Sequence, residues 1–200
     1  MRKSYDEEEK RGTDYFPPSL LSPSEEIPMN SKKRTLLVGF GNLDRADDGV
    51  AFFVVNAFRK RLGQAALDEG CTGLEDLGGL LDSIFMVELV PELIDLLEGY
   101  EQVIFVDAHV DPNLDELHCG LVSPDEAGLT LTHHMSPATL LAFFKALHGR
   151  DIKGYLVSIV GHNFDFLRKL SPETDALVEE ATDRILSLLE REAPATAPGC

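Results

Sequence analysis

Carboxylate and imidazole side chains stand at three points along the chain where a predicted element begins or ends. Asp48 follows a short apolar run and a Gly-Phe-Gly-Asn sequence. Asp107 closes the apolar sequence VIFVD, and His133 and His134 precede a predicted helix. Two carboxylates and one imidazole form a ligand set suited to a divalent transition-metal ion. Three protein ligands would leave one position open for an exchanging ligand or for chemistry.

Each of these residues also has a purely structural interpretation. Asp47 and Asp48 stand at the start of a predicted helix, where a carboxylate caps backbone N–H groups, and Asp47 is the more natural cap. Asp107 could be a buried carboxylate held by loop N–H groups. Neighbouring side chains usually point apart, so at most one of His133 and His134 is expected to face a site. The other histidines are expected to be satisfied locally (His109, His118, His148 and His162).

Other catalytic patterns are weak or absent in the sequence. The Gly-Phe-Gly sequence lacks the third glycine of a dinucleotide-binding loop, because Asp44 occupies that position. The acidic residues that follow would also repel a pyrophosphate. Neither an HExxH pair nor a G-x-S-x-G motif occurs. A cysteine hydrolase using Cys119 is disfavoured, because this residue lies outside the three segments that carry the acidic and histidine residues.

Alternating strand and helix patterns must position these side chains. Apolar runs predict strands at 35–38, 84–89, 103–107 and 155–160 and a shorter one around 119–122. Helices are predicted at 48–62, 91–98, 136–147 and 171–192. This alternation predicts a three-layer αβα fold of phosphorylase/hydrolase-like type, with a mostly parallel twisted sheet and helices on both faces. Ligands bind beyond the carboxyl ends of the strands in such sheets, which is where Asp48 and Asp107 are expected.

Composition divides the chain into one domain and two tails. Residues 1–33 contain a DEEEK run and Ser-Pro pairs without a sustained apolar period, which predicts a disordered or weakly ordered tail. Residues 34–192 form the predicted single α/β domain, and residues 193–200 (APATAPGC) are interpreted as a disordered end. Within the domain, the Gly-rich stretch 63–82 is interpreted as an insertion.

The charge of the chain disfavours several classes of partner. The formal net charge is −17, and residues 34–192 hold 28 acidic and 12 basic side chains. Such a chain is a poor binder of nucleic-acid phosphates and would be repelled by an anionic membrane. No apolar stretch approaches the roughly 20 residues of a transmembrane helix, and the N-terminal sequence is unlike a signal peptide. Three cysteines without a CxxC pair favour a reducing cytoplasm.

Three motifs together resemble the nickel–iron hydrogenase maturation endopeptidases. The first reads TLLVGFGNLDRADDGVAFFVV, the second VIFVDA and the third LTHHMSPATLLAFF. The C-terminal sequence YLVSIVGHNFDFLRKLSPET is also similar, so the resemblance covers roughly residues 34–190. The three motifs in this order and spacing are fairly specific, whereas no single one is.

The resemblance implies a peptidase that removes the C-terminal extension of a hydrogenase large-subunit precursor after nickel insertion. Asp48, Asp107 and His133 are the implied metal ligands, and Asp48 and Asp107 are the implied catalytic residues of an aspartic-type endopeptidase. His133 rather than His134 matches, because a threonine precedes it. Nickel presented by the substrate is the implied recognition element, and other divalent metals are able to occupy the site. The precursor is the implied partner, and the protein is expected to be a monomer.

Departures from the family pattern bear on the substrate and on the activity. Asp48 stands where the family often has Glu, and residues 87–91 (VELVP) replace a common Gly-Thr after the second strand. A non-proteolytic assembly factor, or chaperone, that checks a hydrogenase for nickel is therefore the alternative function. If the chain cuts peptides, water is the expected nucleophile. The sequence leaves open whether Asp48 serves as the general base or as a metal ligand.

Overall fold

A five-stranded sheet forms the middle layer of the computed structural model, which describes residues 33–124 and 135–191. The strands are β1 (Thr35–Phe40), β2 (Leu81–Met86), β3 (Gln102–His109), β4 (Leu117–Leu121) and β5 (Lys153–Val160). Their order across the sheet is β2-β1-β3-β5-β4. The first four strands in this order are parallel, and β4 runs antiparallel to β5 at one edge.

Helices cover both faces of this sheet. They are α1 (Val50–Arg61), α2 (Leu93–Leu97), α3 (Pro137–His148), α4 (Pro172–Ala176) and α5 (Val178–Arg191). Residues of α1 and α5 pack with Ile104 and Val106 of β3 in one apolar layer. Residues of α2 and α3 pack with Val103 and Phe105 in the other. Burial on both faces explains the continuous apolar run of β3, and the predicted three-layer α/β fold is confirmed.

Two predicted helices begin with a serine that caps the helix in the structure. The Ser136 hydroxyl accepts the N–H of Thr139 at 3.1 Å at the start of α3. The Ser171 hydroxyl accepts the N–H of Thr174 at 3.3 Å at the start of α4. A proline follows each serine as the first helical residue, where its missing N–H costs nothing.

The element boundaries differ from the predictions by up to three residues, and three of these differences have a clear cause. Strand β2 begins at Leu81 and ends at Met86, because its pairing with β1 covers these residues. Strand β3 extends to His109, because β5 pairs with it over its full length. The predicted last helix is divided at Leu177, whose N–H bonds the carbonyl of Thr174 in a tighter turn. The predicted insertion contains a short 3-10 helix (Leu74–Asp76).

Several predictions concern residues that the structure does not describe. Most of the two predicted tails and both His133 and His134 lie outside the described residues. Among residues 33–124 and 135–191, no helix has the length and apolar character needed to cross a membrane.

Candidate active site

The loop after β1 brings Asp48 back to the end of that strand. Gly41 has φ +143°, and a Cβ atom there would lie 1.9 Å from the carbonyl oxygen of Asp48. Only glycine allows such an approach. The backbone N–H of Asn42 then donates a hydrogen bond to Asp48 Oδ2 at 3.0 Å. The Gly-Asn pair of the first motif thus positions the Asp48 carboxylate.

The same asparagine shapes the turn that leads to α1. Asn42 Oδ1 accepts the N–H of Asp44 at 2.9 Å, and the Asn42 carbonyl accepts the N–H of Arg45 at 3.0 Å. An asparagine side chain bonded to the backbone two residues ahead stabilises a turn. A 3-10 helix (Ala46–Gly49) follows and runs directly into α1. These contacts are local, and all of them lie within the first motif.

Asp107 lies at the same edge of the sheet, near the end of β3. The first five residues of the strand are buried, and the strand becomes half-buried from Asp107 onward. Asp107 Oδ1 accepts the N–H of Ala108 at 2.8 Å. Burial raises the pKa of Asp107 to about 7, against the opposing effect of this hydrogen bond and with a further contribution from the negative charge of Asp48. The structure therefore brings Asp48 and Asp107 together.

The third predicted metal ligand is His133, which lies outside the described residues, as does its neighbour His134. Two positions later, Met135 packs against the apolar layer of α2 and α3. Among residues 33–124 and 135–191, no group of three His, Cys, Asp or Glu side chains is arranged to hold a metal ion. Asp48 and Asp107 offer two oxygen ligands, and the complete ligand set stays a prediction.

His109 departs from the expectation that it is satisfied locally. Both of its ring nitrogens are buried, and neither has a hydrogen-bond partner within the part of the chain that the structure describes. His109 lies two residues after Asp107 on β3, so both side chains lie on the same side of the strand. A buried polar group without a hydrogen bond costs roughly 1–3 kcal/mol of stability. His109 is therefore a further polar side chain near Asp107 whose hydrogen bonds are not made among the described residues.

Asp47 is not a helix cap, contrary to the sequence prediction. Within the described part of the chain, no side chain caps the 3-10 helix or α1, and Asp47 is fully buried against the loop between β5 and α4. Its donors are the N–H groups of His162 (2.8 Å), Asn163 (2.8 Å) and Ser171 (2.7 Å) and the hydroxyls of Ser171 (2.7 Å) and Thr174 (3.0 Å). Burial alone raises the pKa of Asp47, but these donors lower it to about 2. The prediction failed because the donors are distant in sequence.

Sequence reasoning also missed a cleft of about 380 Å³ beside the acidic pair. Its walls are formed by residues 42–44, 69–72 and 85–87 and by Arg168. Arg168 forms ion pairs with Asp44 and with Glu69, the latter at 2.7 Å. The sequence signal for it is the Gly-rich stretch 63–82, which is interpreted above as an insertion and whose role the sequence leaves open.

The alternative nucleophile, Cys119, lies away from this site. It is in β4, the antiparallel edge strand, and packs against the apolar layer of α1 and α5. Asp107, Val103 and Phe105 occupy alternate positions of β3, so their side chains lie on the same face of the sheet. Val103 and Phe105 belong to the layer of α2 and α3, on the other face from Cys119. The two sides of the sheet therefore separate Cys119 from Asp107.

The mostly parallel sheet between two helical layers matches the fold of solved hydrogenase maturation endopeptidases. HybD, a hydrogenase maturating endopeptidase from E. coli, matches with a TM-score of 0.58 and 20% identity over 79% of this chain and 93% of HybD. A hydrogenase 2 maturation peptidase from a Thaumarchaeota archaeon matches with a TM-score of 0.52 and 23% identity, over 80% of this chain and 100% of the peptidase.

A third solved structure is the NiFe hydrogenase maturation protease HycI from Thermococcus kodakarensis. It matches with a TM-score of 0.54 and 17% identity over 80% of this chain and 95% of HycI. At the level of sequence, no family model and no curated protein matches the chain. The chain therefore shares the fold of these proteases, and this common fold supports the resemblance that the three motifs carry.

Proposed function

We propose that this protein is an endopeptidase that removes the C-terminal extension of a nickel-loaded hydrogenase large-subunit precursor. The observation that carries the proposal is the pairing of Asp48 with Asp107 at the carboxyl edge of a sheet with the maturation-endopeptidase fold. The pKa of Asp107, raised to about 7, lets this carboxyl take up and release a proton near neutral pH. Hydrolysis of a peptide bond needs such a group.

Water is the nucleophile in this proposal, and Asp107 is the general base. The ionised Asp107 carboxylate accepts a proton from the water while the water oxygen bonds to the carbonyl carbon of the peptide. The carbonyl π electrons move to the carbonyl oxygen and form a tetrahedral intermediate. When this intermediate collapses, the C–N bond breaks and Asp107 returns the proton to the leaving nitrogen. The products are a new C-terminal carboxylic acid and the amine of the released peptide.

Nickel belongs to the substrate in this proposal, as cargo that the precursor brings. Asp48 and Asp107 would contact it through oxygen atoms and His133 through an imidazole nitrogen, a mixed set that suits nickel and other divalent metals. Asp107 would use one oxygen for this contact and keep the other for the proton of the water. A divalent cation next to a carbonyl can polarise it as a Lewis acid. Asp48 would be the anchored ligand, because the N–H of Asn42 holds its carboxylate. The cytoplasmic location and the monomeric state remain predictions from the sequence.

The test is incubation of the purified protein with a nickel-loaded large-subunit precursor, followed by mass spectrometry. We expect the wild-type protein to shorten the precursor by its C-terminal extension and Asp107→Asn to leave its mass unchanged. The matched control is Asp115→Asn, which removes an exposed carboxylate farther along the chain and should cut normally.

Two outcomes would contradict the proposal. Full processing by Asp107→Asn would remove Asp107 from the chemistry. A precursor of unchanged mass that forms a stable complex with the wild-type protein would favour the non-proteolytic assembly factor, a function that the departure at residues 87–91 motivates.

A further inference from the structure

The cleft adjoins the candidate active site at Asn42. Asn42 lines the cleft, and its N–H also bonds the carboxylate of Asp48. The volume of about 380 Å³ is at the lower end of the range for ligand sites, roughly 300–1,000 Å³. This space suits one or two side chains of an extended peptide rather than a folded element.

The outer wall of the cleft belongs to the Gly-rich stretch and is held firmly by α1 and β2. Asn56 exchanges two hydrogen bonds with the backbone of Leu67, at 2.7 and 3.2 Å. The buried Arg59 binds both ends of segment 65–76, through a carbonyl and a carboxylate. The carbonyl of Thr72 accepts an N–H from β2 at 2.9 Å. The wall is thus preformed, which lowers the entropic cost of binding a ligand against it.

The floor and the mouth of the cleft differ in chemistry. Leu43, Met86 and Val87 give the floor apolar surface, and Val87 keeps 68% of its surface exposed. At the mouth, the ion pairs of Arg168 involve side chains that are more than half exposed. Exposed pairs of this kind contribute little to stability, about 0–1 kcal/mol. They do leave the rim with one uncompensated negative charge, which disfavours an acidic ligand.

We propose that this cleft binds an apolar side chain of the precursor next to the peptide bond that is cut. The inference rests on the proposed function and adds a determinant of specificity to it. An apolar side chain would bury the exposed Val87 without displacing Arg168 from its carboxylate partners. The peptide backbone would then continue past Asn42 to the acidic pair. Because residues 69–72 build one wall, the Gly-rich stretch would select which precursor is accepted.

Two valines provide a matched test of this cleft. Val87 and Val110 are similarly exposed, at 68% and 70%, and each follows the carboxyl end of a parallel strand. Val87 lines the cleft, whereas Val110 is outside its lining. We expect Val87→Ser to raise KM for the precursor by about five- to tenfold with little change in kcat, because it removes apolar contact made equally in the ground and transition states. Val110→Ser should leave both constants unchanged, and equal KM values in the two variants would overturn the proposal.

The exposed thiol of Cys71 offers a second, chemical test in the same wall. Alkylation with N-ethylmaleimide should fill part of the cleft and lower kcat/KM by tenfold or more. The control is Cys71→Ser treated with the same reagent, because any effect on the other cysteines is then the same. Loss of activity in the treated control as strong as in the treated wild type would contradict a role for the cleft.

A binding measurement separates failure of the cleft from failure of the proposed function. The probe is a synthetic peptide that spans the processing site of the precursor, titrated by calorimetry into the full-length wild type, Val87→Ser and Val110→Ser. If the wild type cuts no precursor but binds this peptide in a Val87-dependent way, the cleft stands and proteolysis is wrong. If binding is absent or independent of Val87, the cleft proposal is wrong, whether or not the wild type cuts.

Discussion

Asp47 and Asp107 belong to the same edge of the molecule, but their surroundings give them opposite properties. Asp47 is fully buried and accepts five hydrogen bonds, four from the loop between β5 and α4 and one from Thr174 of α4, and its pKa is lowered to about 2. Asp107 is half-buried, accepts one hydrogen bond from Ala108 among the described residues, and has a pKa raised to about 7.

In this comparison, hydrogen-bond donors offset the effect of burial at Asp47, whereas at Asp107 burial prevails. Burial raises the pKa in both places, because it disfavours the charged form. At Asp47, the N–H groups of Ser171, His162 and Asn163 and the Ser171 hydroxyl outweigh that effect, and the charged carboxylate then holds the loop in place. Among the described residues, Asp107 has one donor and a second carboxylate nearby, so in these surroundings its charge is unfavourable until a proton or a cation arrives. An undercompensated carboxylate of this kind is suited to chemistry or to binding a cation.

The largest expected effect comes from breaking the acidic pair at Asp48. Asp48→Ala should lower kcat/KM for precursor processing by about a thousandfold, because it removes the carboxylate that faces Asp107 and the cargo metal. Asp48→Glu should keep activity within about tenfold of the wild type, since the resembling family often has Glu at this position. The processing rate measures both variants, and thermal melts check that each is folded. Comparable activity in Asp48→Ala and the wild type would show that the pair is not needed.

Substitution of Asp47, which has a structural role, should lower stability rather than activity. Asp47→Asn should lower the free energy of unfolding by about 3 kcal/mol at pH 7, because an amide replaces one acceptor oxygen by a donor that faces other donors. The folded pKa lies below the unfolded one, so this contribution is present above about pH 4 and fades as the pH falls towards 2. Urea unfolding at several pH values measures it. The control Asp175→Asn, at an exposed position of α4, should change stability by less than about 0.5 kcal/mol.

The smallest expected effect is a gain in stability at Asp107, opposite in sign to the loss expected at Asp47. Asp107→Asn should raise the free energy of unfolding by about 1–2 kcal/mol at pH 8. The folded pKa lies above the unfolded one, so ionisation of Asp107 destabilises the fold as the pH rises from about 4 to about 7. A neutral amide avoids this cost, and the gain should vanish near pH 4. Urea unfolding at pH 4 and pH 8 measures the difference, and a loss of stability at pH 8 would mean that the native fold compensates the charge.

Local interactions explain which parts of the fold could be predicted. Helix α3 begins next to Ser136, as the Ser-Pro sequence predicts, because capping involves residues three positions apart. The core of β3 was predicted because burial on both faces produces a continuous apolar run. The end of β3 at His109 and the start of β2 at Leu81 were not, because pairing with strands distant in sequence sets both.

The candidate site divides in the same way. The geometry around Asp48 depends on Gly41 and Asn42, which lie within eight residues of it. The first motif therefore includes all the residues that set this geometry. The cleft depends on Arg168, whose ion-pair partners lie 99 and 124 positions away in the chain. No short motif reports a contact over that distance.

The sequence by itself determined the alternation of strands and helices, the turn that holds Asp48, and the emergence of Asp107 at a strand end. These follow from hydrophobic period and from hydrogen bonds between near neighbours. Only the tertiary structure decided that Asp47 holds a loop while Asp107 carries a raised pKa, and that segment 69–72 builds a cleft beside them. The reason is that a carboxylate's role depends on how many donors and charges surround it, and here those come from distant parts of the chain.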